Sequence, residues 1–154
     1  EDVLLASKEI AKQRGVTLIE MMIVLVILAV IASFAYPSYM NYVVDTKRTA
    51  AASILLQVAD RQQQFFMDNK RYANDLTLLG FPANPLILDD QGNSAAAGDT
   101  AAVYTVSLSN VTATTYTITA APLNQMAKHD TDCGSLVLDQ RGTQSAGSGA
   151  TDCW

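Results

Sequence analysis

One carboxylate, Glu20, lies inside a stretch from Gly15 to Val44 that is otherwise uncharged and is long enough to cross a bilayer. A charged group near the middle of a hydrocarbon layer costs about 2.5–3.5 kcal/mol on insertion scales, and such groups usually have a partner or a function. We therefore expect the carboxylate of Glu20 to be paired with a cation.

Two cysteines, Cys133 and Cys153, could form a covalent link. They lie twenty residues apart, without the CxxC pairs or histidine partners that are typical of zinc or redox sites. A disulfide is the simplest interpretation, and closing such a loop would stabilise the fold by about 3 kcal/mol in the chain-entropy model. Two buried free thiols are the alternative. Because disulfides persist in oxidising compartments, we expect the globular part to leave the cytoplasm.

The rest of the chain offers little for catalysis or metal binding. Its one histidine, His129, lies beside Asp130 and Asp132. Nucleophilic catalysis needs a base positioned near a serine or a thiol, and both thiols are assigned to the disulfide. We therefore predict no enzyme activity, no metal site and no cofactor. Four oxygen-bearing residues lie close together further along the chain, but they lack the spacing of a calcium loop: Asp89, Asp90, Asn93 and Asp99. We interpret this segment as a solvated acidic loop.

Length and charge constrain the elements that position these residues. The 154 residues suit one compact domain plus a separate segment, because such domains hold about 100 to 150 residues. The net charge of -5 arises downstream of residue 15, which argues against broad attraction to phosphate backbones. Lys12 and Arg14 precede the apolar segment, so the positive-inside bias places the N-terminus in the cytoplasm. No small-residue cleavage site follows the segment, which favours a retained anchor over a secretory signal.

Hydrophobic periodicity predicts an α+β fold. We expect one long helix over residues 16–69, apolar in its first half and amphipathic in its second, where apolar residues recur at helical spacing: Ala51, Ile54, Leu55, Val58 and Phe65. It should pack on a small antiparallel sheet of three to four strands. Three strands alternate apolar and polar residues, and a fourth is not placed: Val103 to Ser109, Thr115 to Ala121, and Ser135 to Gln140. Residues 71–102 are predicted to be a long loop.

The start of the apolar segment resembles the class III signal of type IV pilins and pseudopilins. The resemblance rests on KQR before Gly15, the run from Val16 to Glu20, and an apolar helix that contains Pro37. It implies that a prepilin peptidase cuts after Gly15 and methylates the new amine of Val16. It also implies that Glu20 neutralises the N-terminal ammonium of an adjacent subunit, or of its own chain, inside the filament, with Pro37 at the place of a helix-kinking proline.

Two features depart from that family pattern. Val16 replaces the usual phenylalanine, and the apolar helix contains no glycine, which leaves Pro37 as its weak point because proline removes one backbone hydrogen bond. The leader, EDVLLASKEIAKQRG, is longer and more acidic than usual and does not begin with methionine, so the sequence does not define its native start. The resulting domain scheme is a leader at residues 1–15, a transmembrane and polymerisation helix at 16–44, and a globular head at 45–154.

The C-terminal stretch, from Cys133 to Gly142 and from Asp152 to Trp154, is similar to minor pilins of the PilE and ComP type. Some such relatives bind DNA through a basic strip on the disulfide-closed region. Here that region has two cations against four acids, so we do not expect strong phosphate binding. Trp154 could stack on a base, but we interpret it as an aromatic lid over the disulfide.

We therefore predict a structural subunit of a type IV pilus, a minor pilin that serves adhesion, twitching motility or DNA uptake. The alternatives are a type II secretion pseudopilin and a DNA-binding competence minor pilin. The expected partners are other pilin subunits, the prepilin peptidase, the inner-membrane assembly platform, and the membrane before assembly. The precursor should reside in the inner membrane with its head in the periplasm, and the mature subunit in an extracellular fibre.

Overall fold

The computed structural model of the protein describes residues 15–154. Helix α1 spans Leu18–Asn69, helix α2 spans Asn124–His129, and a short 3-10 helix spans Leu76–Leu79. The predicted long helix is confirmed to within two residues at its start. Pro37 lies inside α1, which is helical on both sides of it. The predicted leader lies outside the described residues except for Gly15.

Five strands form one antiparallel sheet in the order β1-β2-β3-β4-β5. Their bounds are β1 Leu86–Leu88, β2 Tyr104–Ser109, β3 Thr117–Pro122, β4 Leu136–Asp139 and β5 Gln144–Ala146. The three predicted strands correspond to β2, β3 and β4. The sheet thus has one strand more than the upper end of the predicted three to four, and the two strands that were not placed, β1 and β5, are its edges.

Both additional strands are only three residues long, which explains why sequence pattern did not indicate them. β1 lies in the segment predicted as loop, between Pro85 and Asp89, and three consecutive apolar residues show no alternation. β5 lies in a polar Gly/Ser-rich stretch. Each is defined by pairing with a neighbouring strand, β1 with β2 and β5 with β4, rather than by its own sequence.

The core lies between the second half of α1 and one face of the sheet. Inward-facing residues of β2, β3 and β4 are fully buried, including Tyr104, Ile118 and Leu136. The helix contributes Leu55 and Val58, each completely buried. Ile54 and Phe65, also predicted to face inward, are half-buried and pack against this cluster.

A buried amide joins α1 to the chain that follows it. Gln62 is completely buried, and its side-chain amide donates to the carbonyl oxygen of Ala73 at 2.8 Å while its side-chain oxygen accepts from the Ala73 N–H at 2.8 Å. This pair of bonds satisfies both polar groups of Gln62 and both backbone groups of Ala73 in the interior. It fixes the segment that leads from α1 to the 3-10 helix.

The chain divides after Tyr39 into two compact units, and the two differ in burial. From Gly15 to Tyr39 every residue is exposed, and Met40 is the first that is partly covered. All of the buried core belongs to Met40–Trp154. The proposed boundary between polymerisation helix and head, after residue 44, stays a prediction.

Candidate functional site

The predicted cleavage site lies just before α1. Val16 is 59% exposed, and a side chain built at Gly15 would meet no atom within 4 Å. Neither residue belongs to a helix or strand. Both residues are therefore exposed within the described chain, and cleavage between them stays a prediction.

Glu20 takes part in a local arrangement at the start of α1. Its backbone N–H donates to Thr17 Oγ1 at 3.3 Å, and its carboxylate accepts a long bond from the Thr17 N–H at 3.5 Å. This reciprocal pair is a capping box, which supplies partners for N–H groups that a helix start leaves free. Sequence reasoning did not identify Thr17, although the spacing Thr-x-x-Glu is the signature of such a box.

The remainder of the first unit is an uncovered apolar surface. Its most apolar window has a mean hydropathy of 2.8 and is not buried at all, and α1 is the one helix in the described chain that is long and apolar enough to cross a membrane. The exposed large apolar residues in its first turns are Leu18, Ile19, Met21, Met22, Ile23, Val24 and Leu25. A helix that is apolar all round needs lipid or other helices around it.

Pro37 has a polar neighbour one turn earlier. The hydroxyl of Ser33 donates to the carbonyl oxygen of Val30 at 2.7 Å. Pro37 has no N–H to donate to the carbonyl of Ser33, which lies four residues before it. The described structure thus combines a hydroxyl-to-backbone bond and a missing backbone bond on adjacent turns.

A buried ion pair, which sequence reasoning did not identify, connects α1 to the segment before the disulfide. Arg48 Nη2 lies 2.6 Å from Asp130 Oδ1, and Arg48 Nε donates to Asp130 Oδ2 at 3.1 Å. The Asp130 side chain is completely buried and that of Arg48 is 12% exposed. The hydroxyl of Tyr104 donates to the same carboxylate at 3.0 Å. The side chain of Asp130 thus has three donors, which together offset the cost of burying its charge.

The protonation states of this cluster follow from its contacts. The hydrogen bonds from Arg48 to Asp130 raise the pKa of the guanidinium. Burial raises the pKa of the Tyr104 hydroxyl, and the neighbouring Asp130 carboxylate raises it further. Tyr104 therefore remains a neutral donor, and Arg48 remains a cation, throughout the physiological range.

The C-terminal loop is closed as predicted. Cys133 and Cys153 form a disulfide, with their Cα atoms 5.7 Å apart, and both residues are buried. The indole N–H of Trp154 donates to the carbonyl oxygen of Ser145 at 2.9 Å, and the half-buried ring packs against the cluster that contains both cysteines. The interpretation of Trp154 as a lid over the disulfide itself stays a prediction.

Two acids, Asp89 (weighed above as a metal ligand) and Asp139, shape turns. Asp89 Oδ1 accepts backbone N–H bonds from Gln91 and Asn93, and these bonds, led by that of Asn93, lower the pKa of its carboxyl. Asp139 accepts equivalent bonds from Arg141 and Thr143 in the turn before β5. His129 is exposed at the end of α2. In residues 15–154, no cluster of three or more His, Cys, Asp or Glu side chains could hold a metal ion.

A membrane-length apolar helix with one carboxylate near its start, continued into an α+β unit with a C-terminal disulfide, defines the class of type IV pilins and pseudopilins. The motif described as "Prokaryotic N-terminal methylation motif" matches residues 10–36. The family described as "Type IV minor pilin ComP, DNA uptake sequence receptor" matches residues 37–137, about two thirds of the chain. The chain belongs to this family of ComP-like minor pilins.

Individual relatives cover a smaller part of the molecule. The type IV major pilin protein PilA of Myxococcus xanthus is 33% identical over 94 residues, which are 57% of this chain and 40% of that protein. The type II secretion system core protein G of Pectobacterium carotovorum subsp. carotovorum is 32% identical over 88 residues, 56% of each. The chain thus spans about half the length of these relatives. A solved type IV pilin from Shewanella oneidensis has a TM-score of 0.48 and 20% identity, and covers 72% of this chain and 97% of its own.

Proposed function

We propose that this chain is a minor subunit of a type IV pilus whose precursor is cut after Gly15 and which enters the filament through the apolar part of α1. The observation that carries the proposal is the uninterrupted exposure of residues 15–39, with Glu20 as their one charged side chain. Apolar helix surface is kept from water either by lipid or by neighbouring helices, so transfer from membrane to filament costs little solvation free energy. The role is structural rather than catalytic.

Glu20 supplies what the apolar surface lacks, which is a defined register. A smooth apolar helix can slide along its neighbours, whereas a carboxylate in a low-dielectric environment gains most where it meets a cation. Cleavage creates such a cation, the ammonium of Val16. We infer that the carboxylate of one subunit pairs with the terminal ammonium of the next and fixes their axial offset.

The proposed life cycle assigns each part of the chain a place. Residues 1–15 form the leader that the prepilin peptidase removes on the cytoplasmic side, residues 16–44 span the inner membrane until assembly, and residues 45–154 form a head in the periplasm. The inner-membrane assembly platform then moves the subunit into the fibre. The disulfide supports this placement of the head, because such bonds persist in oxidising compartments.

Two substitutions at one position test the role of the charge. Glu20→Ala removes the carboxylate, whereas Glu20→Gln keeps the shape and the capacity to complete a capping box but removes the charge. We expect both variants to insert into the membrane and both to lose most surface filaments, measured in sheared fractions. Normal filament yield in the Glu20→Gln variant would reject the proposed ion pair.

A second candidate function, reception of DNA during uptake, is favoured by the family match over residues 37–137. Charge argues for weak binding, because residues 45–154 contain seven Lys and Arg against eleven Asp. Two of those cations are engaged: Arg48 with Asp130, and Arg61 with the Leu79 carbonyl and the Phe81 ring. Four cations of this region are exposed: Lys70, Arg71, Lys128 and Arg141.

The salt dependence of duplex DNA binding tests this second candidate function. If all four exposed cations contact phosphates, the logarithm of the association constant for duplex DNA falls with the logarithm of salt concentration with a slope of about -3.6. We expect the combined Lys128→Ala and Arg141→Ala variant to reduce that slope, with Lys47→Ala as a matched control on a half-buried cation. Absence of retardation at low salt would exclude DNA reception. A requirement for the protein in export, with no filament phenotype, would indicate the pseudopilin alternative.

A further inference from the structure

We propose that the disulfide closes last, on a chain that is already folded, and that Arg48 and Ser148 are positioning residues for this reaction. Arg48 holds Asp130, which lies three residues before Cys133. Ser148 holds the segment that leads to Cys153. Because Arg48 belongs to α1, closure of the disulfide then reports that α1 has docked on the rest of its unit. This inference concerns maturation of the subunit and is independent of the proposed role in a filament.

The first link fixes the chain on the Cys133 side. The completely buried side chain of Asp130 accepts two hydrogen bonds from Arg48. The backbone of Asp130 is also bonded at both of its groups. Its N–H donates to the Met126 carbonyl oxygen at 2.8 Å, and its carbonyl oxygen accepts from the Gly134 N–H at 3.0 Å. Cys133 lies in the turn that this last bond closes, so contacts made by α1 set its position without the other cysteine.

The second link brings the other cysteine alongside. The Ser148 hydroxyl donates to the Asp132 carbonyl oxygen, and the Ser148 N–H donates to the Cys133 carbonyl oxygen at 3.3 Å. The same hydroxyl accepts from the Ala150 N–H at 3.2 Å. Ser148 thus joins the chain around Cys133 to the closing segment, which we define as residues 147–153 and which carries Cys153.

The order of events follows from burial. Cys133 is 5% exposed and Cys153 is 4% exposed, whereas every residue from 147 to 152 is exposed. The two sulfur atoms are out of reach of an oxidant while the closing segment is in place. A segment with few buried contacts opens at a lower free-energy cost than the core does. The oxidant therefore meets Cys153 on the open segment, while Cys133 is already held by the fold.

The reaction is thiol–disulfide exchange with a disulfide oxidant. The Cys153 thiolate attacks the oxidant, which forms a mixed disulfide and releases one thiol. The Cys133 thiolate then attacks the Cys153 sulfur, which forms the bond between the two cysteines and releases the second thiol. Two electrons pass to the oxidant, and the two protons lost by the cysteines end on the released thiols. The second step is intramolecular, so its equilibrium depends on how well the two links hold the sulfur atoms together.

The positioning is measured as the effective concentration of one thiol at the other, obtained by equilibrating the full chain in detergent micelles with reduced and oxidised glutathione. The stabilisation expected of this disulfide corresponds to a value about 100-fold higher in the folded than in the unfolded chain. We expect Arg48→Met to lower the value in the folded chain about two- to hundredfold, because groups in one hydrogen-bonded network are coupled to that extent. In concentrated urea, where neither link exists, parent and variant should agree.

Gln62→Met is the matched control. Gln62 also forms a buried polar link from α1, to Ala73, and it receives the same replacement residue. It lies further along the helix, about 21 Å from Arg48 at a rise of about 1.5 Å per residue. Sites this far apart and without shared partners are not coupled, so the effective concentration in Gln62→Met should stay within about twofold of the parent value.

Ser148→Ala decides the inference even where urea unfolding shows that reduced Arg48→Met does not fold. Ser148 is exposed, so removal of its hydroxyl leaves the core intact. We expect Ser148→Ala to lower the effective concentration about two- to tenfold, and Ser148→Thr, which keeps the hydroxyl, to restore it. The inference is overturned if Ser148→Ala or a folded Arg48→Met matches the parent, if Ser148→Thr does not restore the value, or if Gln62→Met lowers it as much as Arg48→Met.

Discussion

The two units of the chain use apolar residues in opposite ways. Between Gly15 and Tyr39 every residue is exposed in the described structure, although most of these residues are apolar. From Met40 onward, apolar side chains of α1 and the sheet form a close-packed core. The second unit buries its apolar surface by folding, whereas the first can do so only in contact with lipid or other molecules.

One acid in each unit shows the same contrast: Asp130 has its hydrogen-bond partners within the fold, whereas Glu20 is exposed. The side chain of Asp130 is completely buried and accepts hydrogen bonds from Arg48 and Tyr104, so its partners all lie within the fold. Glu20 is exposed and has one long bond from Thr17, so it keeps acceptor positions for another partner. Of these two acids, only Glu20 has acceptor positions left for a partner outside its own chain.

The largest effect expected in the second unit comes from the buried ion pair. Arg48→Met removes the cation and leaves the Asp130 carboxylate uncompensated, which typically costs about 3–5 kcal/mol of unfolding free energy. Urea unfolding of the full chain in detergent micelles measures the change.

A paired variant serves as the control. The combination of Arg48→Met with Asp130→Leu replaces both charges by apolar groups and should recover much of that loss. An Arg48→Met protein as stable as the parent would mean that the pair contributes nothing, and the contrast between Asp130 and Glu20 would then fail.

The next effect in size comes from the disulfide. Replacing both cysteines, Cys133→Ser with Cys153→Ser, should lower the unfolding free energy of the second unit by about 3 kcal/mol, because the unfolded chain regains the freedom of a twenty-residue loop. Thermal unfolding with and without reductant measures the change. Reductant should shift the midpoint of the parent protein and leave that of the double variant unchanged, and an equal shift in both would contradict the assignment.

The smallest effect on stability is expected in the first unit. Ile27 is 53% exposed, so Ile27→Ala removes apolar surface that the chain itself does not bury. The midpoint of unfolding of the second unit should remain the same, with Leu55→Ala as a buried control that loses about 2–5 kcal/mol. A loss of stability in Ile27→Ala comparable to that in Leu55→Ala would break the distinction between the two units.

Sequence pattern predicted those parts of the fold whose residues repeat with a clear period. The long helix and strands β2, β3 and β4 have such periods. The disulfide was predictable because the sequence contains only two cysteines. The three-residue strands β1 and β5 have none, because their pairing depends on neighbouring strands.

The candidate site was predictable to a similar extent. The charge in an apolar stretch singled out Glu20, and the Thr-x-x-Glu spacing could have indicated Thr17. Arg48 and Asp130 are 82 residues apart in sequence, and nothing local distinguishes either from a solvated surface charge. Only the fold, which brings α1 beside the segment that follows α2, makes them partners. Similarly, the turn-forming roles of Asp89 and Asp139 depend on backbone N–H groups that a list of side chains does not reveal.

Intact-mass measurement of subunits recovered from sheared filaments tests the central claim most directly. The account predicts polypeptides that begin at Val16, since only a freed terminus provides the ammonium that pairs with Glu20. Filaments built from chains that still carry residues upstream of Val16 would contradict it.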